Sequence, residues 1–216
     1  MQEIPLRFMK RKGGIRVNDK QYDLLLNIRT EGIQRGFHDS LHYNRYEPTP
    51  YALLEQLFIH YQLSRSDRFV DYGCGKGRLN FYLHHLFGTE TVGVEMDPQF
   101  YAEALENRTA YEKKFKNAKG KIHFVNSLAQ DYSVDKRDNR FYFFNPFSVQ
   151  IFIQAINGIL RSVEKSPRTI DLILFFPQPD YLDFLEYGTS FEWLQEISLP
   201  GVERDLSERF LIYRLL

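Results

Sequence analysis

Residues 69–77 read Phe69-Val70-Asp71-Tyr72-Gly73-Cys74-Gly75-Lys76-Gly77, and an amphipathic pattern begins at Arg78. An apolar run ends in a carboxylate, three alternating glycines follow, and a helix starts. That order is how an α/β sheet opens a nucleotide-sized pocket at the carboxyl end of its first strand. Glycine suits a sharp turn because it takes φ > 0 freely and lets a ligand lie against the backbone without an intervening Cβ. Two phosphate-binding readings fail. A dinucleotide fold wants G-x-G-x-x-G, but here the third glycine comes one residue early and Asp71 would face the pyrophosphate with the wrong charge. A P-loop wants G-x-x-x-x-G-K-[ST]; position 70 is Val, and Gly77 follows Lys76 where Ser or Thr belongs. A carboxylate beside a glycine cradle suits a ligand with a cationic end.

The second strand supplies a partner for that loop. Thr91-Val92-Gly93-Val94-Glu95 is a short apolar run whose terminal acid lies eighteen residues after Gly77. An acid at that distance stands at the tip of the neighbouring strand, where it can accept hydrogen bonds from ribose hydroxyls; the alternative is a polar strand end with no ligand. Asp97-Pro98 follows, with Asp97 expected as N-cap and Pro98 at the first helical position.

The remaining chain repeats the alternation. Strands are expected at 68–72, 91–95, 121–126, 140–144 and 169–176, with helices at 78–87, 98–116, 148–165 and 181–187. The end differs: 191–199 and 208–215 are strands joined through Pro200-Gly201, too close for a crossover helix, so they pair antiparallel. The expected fold is α/β, a Rossmann-like, seven-stranded, mostly parallel sheet with a C-terminal antiparallel hairpin and helices on both faces. Upstream, residues 1–48 read as an N-terminal basic and helical extension, and 49–216 as the ligand-binding domain. Arg7, Lys10, Arg11, Lys12 and Arg16 around Gly13-Gly14 form a basic arm, and a helix is expected from Lys20 to Ile33. Thr49 and Pro50 start a second helix carrying Leu53, Leu54, Leu57, Phe58 and Tyr61 at helical spacing. Tyr43, Tyr46 and Tyr51 read either as a lid or as a hydrophobic staple.

The chain of 216 residues carries 28 basic and 28 acidic side chains, so net charge gives no support to strong nonspecific attraction to nucleic acid. A single cysteine, Cys74, excludes a disulfide framework and a zinc cluster, and its place inside the loop suggests a space-filling side chain. No metal site is expected. No apolar segment is long enough for a signal peptide or membrane span, which predicts a cytoplasmic protein with no membrane partner.

The other strand tips carry the remaining candidates. Asn126 and Ser127 end the third strand, with Asp131 the nearest acid but later than usual; a polar loop with no ligand contact is the alternative reading there. Asn145-Pro146-Phe147 ends the fourth. There the Asn145 amide oxygen and the Pro146 carbonyl could accept from an NH group of a substrate, with Phe147 packing against it; alternatively Pro146 ends the strand and Ser148 caps the next helix. Lys76 and Arg78 read as solvated loop charges or contacts for a substrate anion. Lys113, Lys114, Lys116, Lys119 and Lys121 read as a solvated helix end.

The D-x-G-x-G-x-G pattern at Asp71–Gly77 resembles the first motif of the class I S-adenosylmethionine-dependent methyltransferases, and the βα order with its final hairpin resembles that family over about residues 50–216. The resemblance implies S-adenosyl-L-methionine as cofactor, bound by Asp71, Gly73, Gly75, Gly77, Glu95, Asn126 and Ser127. It also implies methyl transfer, with Asn145, Pro146 and Phe147 as the catalytic motif. Asn145-Pro146-Phe147 is similar to the N-P-P-[YF] signature of enzymes methylating planar amino nitrogens, but has one proline rather than two. Together with Gly77-Arg78 and Gly93-Val94-Glu95 it resembles a poorly characterised bacterial group distantly like the non-SET histone lysine methyltransferases. A nitrogen acceptor follows as the leading expectation. The alternatives are an RNA or DNA adenine methyltransferase guided by the basic arm, and a catalytically silent cofactor-binding interaction module. Protein, nucleic acid and small molecule all stay open as acceptor.

Overall fold

Apolar runs too short for helices and buried on both faces dictate a covered parallel sheet. In the structure, a computed structural model describing residues 18–32, 46–199 and 208–216, those runs are the strands. β1 (Arg68–Tyr72) lies between β2 (Glu90–Glu95) and β4 (Arg140–Phe144), all parallel; β3 (Ile122–Asn126) flanks β2 and β5 (Ile170–Phe175) flanks β4. β7 (Arg209–Leu215) runs antiparallel between β5 and β6 (Glu192–Ser198). The resulting seven-stranded order is β3-β2-β1-β4-β5-β7-β6. The direction of winding reverses between β1 and β4, and that reversal is where an open α/β sheet has its ligand crevice.

Alternation along the strands divides the core in two. Phe69, Tyr142, Ile173 and Phe210 point to a layer shared with Leu54, Leu57, Phe81 and Tyr82. Val70, Tyr72, Phe141, Phe143 and Leu211 point to the other, against Phe152, Ile156 and Tyr181. The helices supplying these side chains are α1 (Asp19–Leu26), α2 (Tyr51–His60), α3 (Arg78–Phe87), α4 (Pro98–Lys114), α5 (Val149–Lys165) and α6 (Pro179–Gly188). Among the described residues no helix is long and apolar enough to cross a membrane. The basic arm, Tyr43 and Pro200-Gly201 fall outside the described residues.

The first helix departs from expectation. It begins one residue earlier, at Asp19 under an Asn18–Gln21 capping box, and stops at Leu26 rather than Ile33. Asn27 takes φ 58°, a left-handed C-cap that asparagine tolerates well. Asp23 then draws the chain back by accepting from the Thr30 amide and hydroxyl at 2.5 and 2.8 Å. Thr49 is also not a helix cap: Pro50 holds that position, and the Thr49 hydroxyl lies 2.8 Å from the Tyr142 hydroxyl. Asp97 and Pro98, in contrast, begin α4 as N-cap and first residue.

Arg78 is no solvated loop charge. Only 4% exposed, its guanidinium pairs with Asp19, donates to the Thr30 hydroxyl at 2.7 Å and the Thr49 carbonyl at 3.3 Å, and lies 4.6 Å from the Tyr51 ring centre. Tyr51 stacks on Tyr22 and donates to Asp23. One side chain at the start of α3 thus ties residues 18–32 and the entry to α2 onto the sheet domain. Removing one partner of such a buried, hydrogen-bonded charge strands the others. Arg78→Met is expected to lower unfolding free energy by about 3 kcal/mol, seen as a lower urea midpoint at unchanged slope. A midpoint within error of wild type would contradict this role.

Candidate active site at the glycine loop

The β1–α3 loop is held to the tip of β2 by its backbone amides. Gly73 and Cys74 donate to the Val94 carbonyl at 2.9 and 3.2 Å, and Gly75 donates to Glu95 Oε2 at 2.8 Å. Gly73, Gly75 and Gly77 have φ of 77°, 53° and 84°, a left-handed succession that side-chain-bearing residues would strain. Space matters as much as angle. A Cβ at Gly73 would come within 2.9 Å of Pro146, and one at Gly75 within 2.0 Å of the Tyr46 ring. Cys74 is the expected filler: buried, with Sγ occupying the room that Gly93 leaves on β2, and its thiol pushed well up by burial.

Two buried acids flank the loop. Asp71, 5% exposed, is paired in register with Gly93 of β2 and Tyr142 of β4. Burial, and then the Glu95 carboxylate, push its carboxyl up to about 8. Glu95, 7% exposed, is raised by burial, against which the bonds from Asp97 N–H and Gly75 N–H work. Each Glu95 oxygen accepts one of these amides at 2.8 Å, which leaves further lone pairs for a ligand hydroxyl. A cavity of about 30 Å3 bounded by Asp71, Gly73, Tyr46, Thr49 and Tyr142 lies beside the loop.

At the β3 tip, the Asn126 amide donates to the carbonyls of Glu95 and Met96 at 2.9 and 3.1 Å, so its nitrogen braces the neighbouring strand and only its oxygen is left for other contacts. Ser127 donates its amide to Glu95 O and its hydroxyl to Leu128 O. Met96 and Leu128, each 40% exposed, add apolar surface at these two tips. Nothing in their local sequence marks them; the pairing of β2 with β3 places both just beyond neighbouring strand tips. Asp131 ends a short 3-10 turn, Ala129–Asp131, and is exposed.

At the β4 tip, Asn145 has φ 36° and is followed by Pro146. The adjacent β5 tip repeats the arrangement: Phe176 has φ 52° and is followed by Pro177. Since Phe144 and Phe175 are register partners, these two left-handed residues are the next ones on neighbouring strands. A bulky left-handed residue such as Phe176 is uncommon, and strain of this kind concentrates at functional sites. Phe147, 2% exposed, is turned into the core edge-on to Phe143, and its carbonyl accepts from Tyr181. The ring expected to pack on a substrate is therefore part of the packed interior, while Asn145 and Pro146 stay half-exposed.

Tyr46 lies over the loop as a lid would, whereas Lys76 departs from both of its expected roles. The Tyr46 ring covers Gly75, packs 4.6 Å from Phe100, and donates its hydroxyl to the Thr30 carbonyl at 2.7 Å. Tyr51, by contrast, is a fully buried core residue, and Tyr43 lies outside the described residues. Lys76, 9% exposed, reaches Glu103 at 2.8 Å and the Glu31 carbonyl at 3.1 Å, so it is neither solvated nor turned to the loop mouth. The lysines at 113, 114, 116, 119 and 121 are exposed, as expected.

No protein-family model and no curated protein matches the chain. Solved structures do. A candidate RNA methyltransferase from Pyrococcus horikoshii aligns over 90% of this chain and 96% of its own, at 20% identity and TM-score 0.56. A candidate methyltransferase from Streptococcus mutans in complex with S-adenosyl-L-homocysteine aligns over 76% and 97%, at 14% identity and TM-score 0.54. An rRNA methylase from Streptococcus thermophilus aligns over 74% and 93%, at 14% identity and TM-score 0.50. The chain therefore has the α/β, Rossmann-like methyltransferase fold, with its mostly parallel sheet and antiparallel C-terminal hairpin.

The raised Asp71 carboxyl has a measurable signature. The native chain keeps a proton that the unfolded chain releases near pH 4, so this contribution to stability is complete below that pH and is lost as pH rises to about 8. The slope is about 1.4 kcal/mol per pH unit for one proton. Asp71→Asn, which cannot ionise, is expected to flatten the decline of unfolding free energy between about pH 5 and pH 8, leaving the smaller slope from Glu95. Identical slopes in both proteins would mean that Asp71 is ionised in the native state.

Proposed function

We propose that the protein is an S-adenosyl-L-methionine-dependent methyltransferase acting on a nitrogen acceptor. The observation that carries this reading is the pair of buried carboxylates, Asp71 and Glu95, on either side of a left-handed glycine loop at the β1/β4 switch point. Buried acids with raised carboxyls favour a ligand that brings positive charge, and the absence of Cβ atoms lets it lie on the backbone. The solved structures of this fold that hold S-adenosyl-L-homocysteine support the same choice.

The residues present fit such a group. Asp71 faces an ammonium, and Glu95 offers its remaining lone pairs to ribose hydroxyls while keeping Gly75 and Asp97 in place. Met96 and Leu128 provide apolar surface for a planar base, with the Asn126 oxygen and Ser127 at the same strand tip as Leu128. The Tyr46 ring lies on Gly75, so a ligand packing against that residue has to displace it. When bound, the cofactor supplies an electrophilic methyl group on a sulfonium.

The acceptor side falls to the β4 tip. The Asn145 amide oxygen and the Pro146 carbonyl accept from an acceptor N–H, fixing the direction of its lone pair and stabilising the positive charge that develops on nitrogen. Phe147 anchors the left-handed turn at Asn145 from within the core. Water removes the proton once the nitrogen is cationic, so no strong general base is required.

The test is transfer of a labelled methyl group from S-adenosyl-L-methionine to lysate fractions treated with nuclease or protease, which sorts the acceptor by class. Asn145 then separates catalysis from folding. Alanine at φ 36° costs about 1 kcal/mol in strain, so Asn145→Gly is the cleaner variant. It is expected to keep the wild-type melting temperature and cofactor affinity and to lose about 10²–10³ in turnover, while Asn145→Asp retains part of the rate. Full turnover by a folded Asn145→Gly protein would reduce the motif to a strand terminator and remove the case for nitrogen.

A further inference from the structure

Away from the glycine loop, a cleft of about 310 Å3 opens between the connection 132–136, which leads into β4, and the C-terminal half of α5. Its walls carry three cations, Lys136, Arg161 and Lys165, and three serines, Ser133, Ser162 and Ser166, beside Tyr132, whose hydroxyl donates to Asp138; no carboxylate lines it. Some cations of this electrically neutral chain are matched to acids, Arg68 with Glu90 and Asp138, Arg78 with Asp19 and Arg214 with Asp171, while the lysines from 113 to 121 are exposed on a helix end. The cleft differs in gathering three cations around one concavity. The three cleft cations have no such partner among the described residues.

Two further details bear on the same cleft. Gly158 lies inside α5, where glycine weakens a helix relative to alanine. Its backbone has no left-handed φ, and a Cβ there would meet only Arg161 Nη2 at 3.9 Å. Nothing in the packing demands glycine, and its effect is to keep the cleft wall low. The second detail is Arg168, which donates to the Ser162 and Ser166 carbonyls at 3.2 and 2.9 Å at the end of α5. It counters the negative pole of the helix that would otherwise repel an anion. Dipole complementation accounts for Lys165 on the helix, but not for Lys136 on the opposite wall or for the glycine.

We propose that this cleft binds phosphate, and that it takes the phosphodiester backbone of a polynucleotide. The Ser133 and Ser166 hydroxyls and the Arg161 guanidinium supply hydrogen bonds to phosphate oxygens, the lysines supply charge, and the Ser162 hydroxyl is held by Arg168 and the Val134 carbonyl. Arg161 and Lys165 are exposed and one helical turn apart, so the charges follow the helix and do not converge on one enclosed point. That distribution suits a chain of phosphates better than a single one. The proposal is independent of the transfer chemistry, because binding is read with or without turnover.

The test uses fluorescence anisotropy of a labelled short single-stranded RNA with the full chain, beside calorimetric titration of inorganic pyrophosphate. Combined Lys136→Glu, Arg161→Glu and Lys165→Glu substitutions are expected to weaken RNA binding at least ~10-fold and to lower the slope of log affinity against log salt by about 2, from three phosphates at roughly 0.7 each. Gly158→Leu fills the wall without changing charge. It is expected to raise the melting temperature, as a glycine replaced inside a helix should, and to weaken RNA binding all the same. Unchanged RNA affinity and salt slope in both folded variants, with no pyrophosphate binding, would overturn the proposal. Pyrophosphate bound by the wild type and lost in the variants, without RNA binding, would overturn the polynucleotide assignment and leave a small phosphorylated ligand as occupant.

Discussion

The attachment of the β1–α3 loop to the tip of β2 is the constraint on which the rest depends. Gly73 and Cys74 both donate to Val94, and Gly75 donates to Glu95. Those bonds place three left-handed glycines at the switch point, start α3 at Arg78, and hold Glu95 beside Asp71. With Arg78 fixed there, Asp19, Thr30, Thr49 and Tyr51 gain their common partner. The same loop therefore shapes the candidate ligand site and anchors the N-terminal segment to the domain.

Electrostatics gives the loop its direction. Burial away from solvent disfavours ionisation of Asp71, and the nearby Glu95 carboxylate adds to this, which is why its carboxyl is raised to about 8. Such an arrangement weakens the native state unless a positive charge arrives. Lys76 does not supply it, since its ammonium is turned to Glu103 and Glu31. The charge imbalance is local to the site, and it is what a cationic ligand would relieve. Tyr46, lying across Gly75, keeps that unpaired environment covered in this conformation.

Most of the fold was legible because its signals are local. Five buried runs, the glycine spacing, Asp97-Pro98 and the hairpin at the end each report on a few consecutive residues, and the sheet reproduces their order. The failures arose where long-range partners decided. Lys20 to Ile33 has a helical pattern, but Asp23 capturing Thr30 ends the helix early. Arg78 has a loop-like neighbourhood in sequence, yet its four partners, Asp19, Thr30, Thr49 and Tyr51, come from two distant segments. Phe147 reads as a site residue by position, while its burial depends on Phe143 and Tyr181. Met96, Leu128 and Phe176 carry no motif at all; strand register assembles the first two, and the backbone angle at the third is invisible in the chain.

The central claim is that the loop and its two acids hold S-adenosyl-L-methionine, and calorimetric titration of the full chain addresses it most directly. The account predicts binding in the micromolar range, about −8 kcal/mol, with no comparable binding of NAD. Glu95→Gln should weaken it by about 1.5–3 kcal/mol through loss of charged hydrogen bonds. Between buffers of different ionisation enthalpy the heat should differ near pH 7, because binding a cation beside Asp71 releases its proton. Tight binding of NAD, or cofactor affinity untouched by Glu95→Gln, would contradict it.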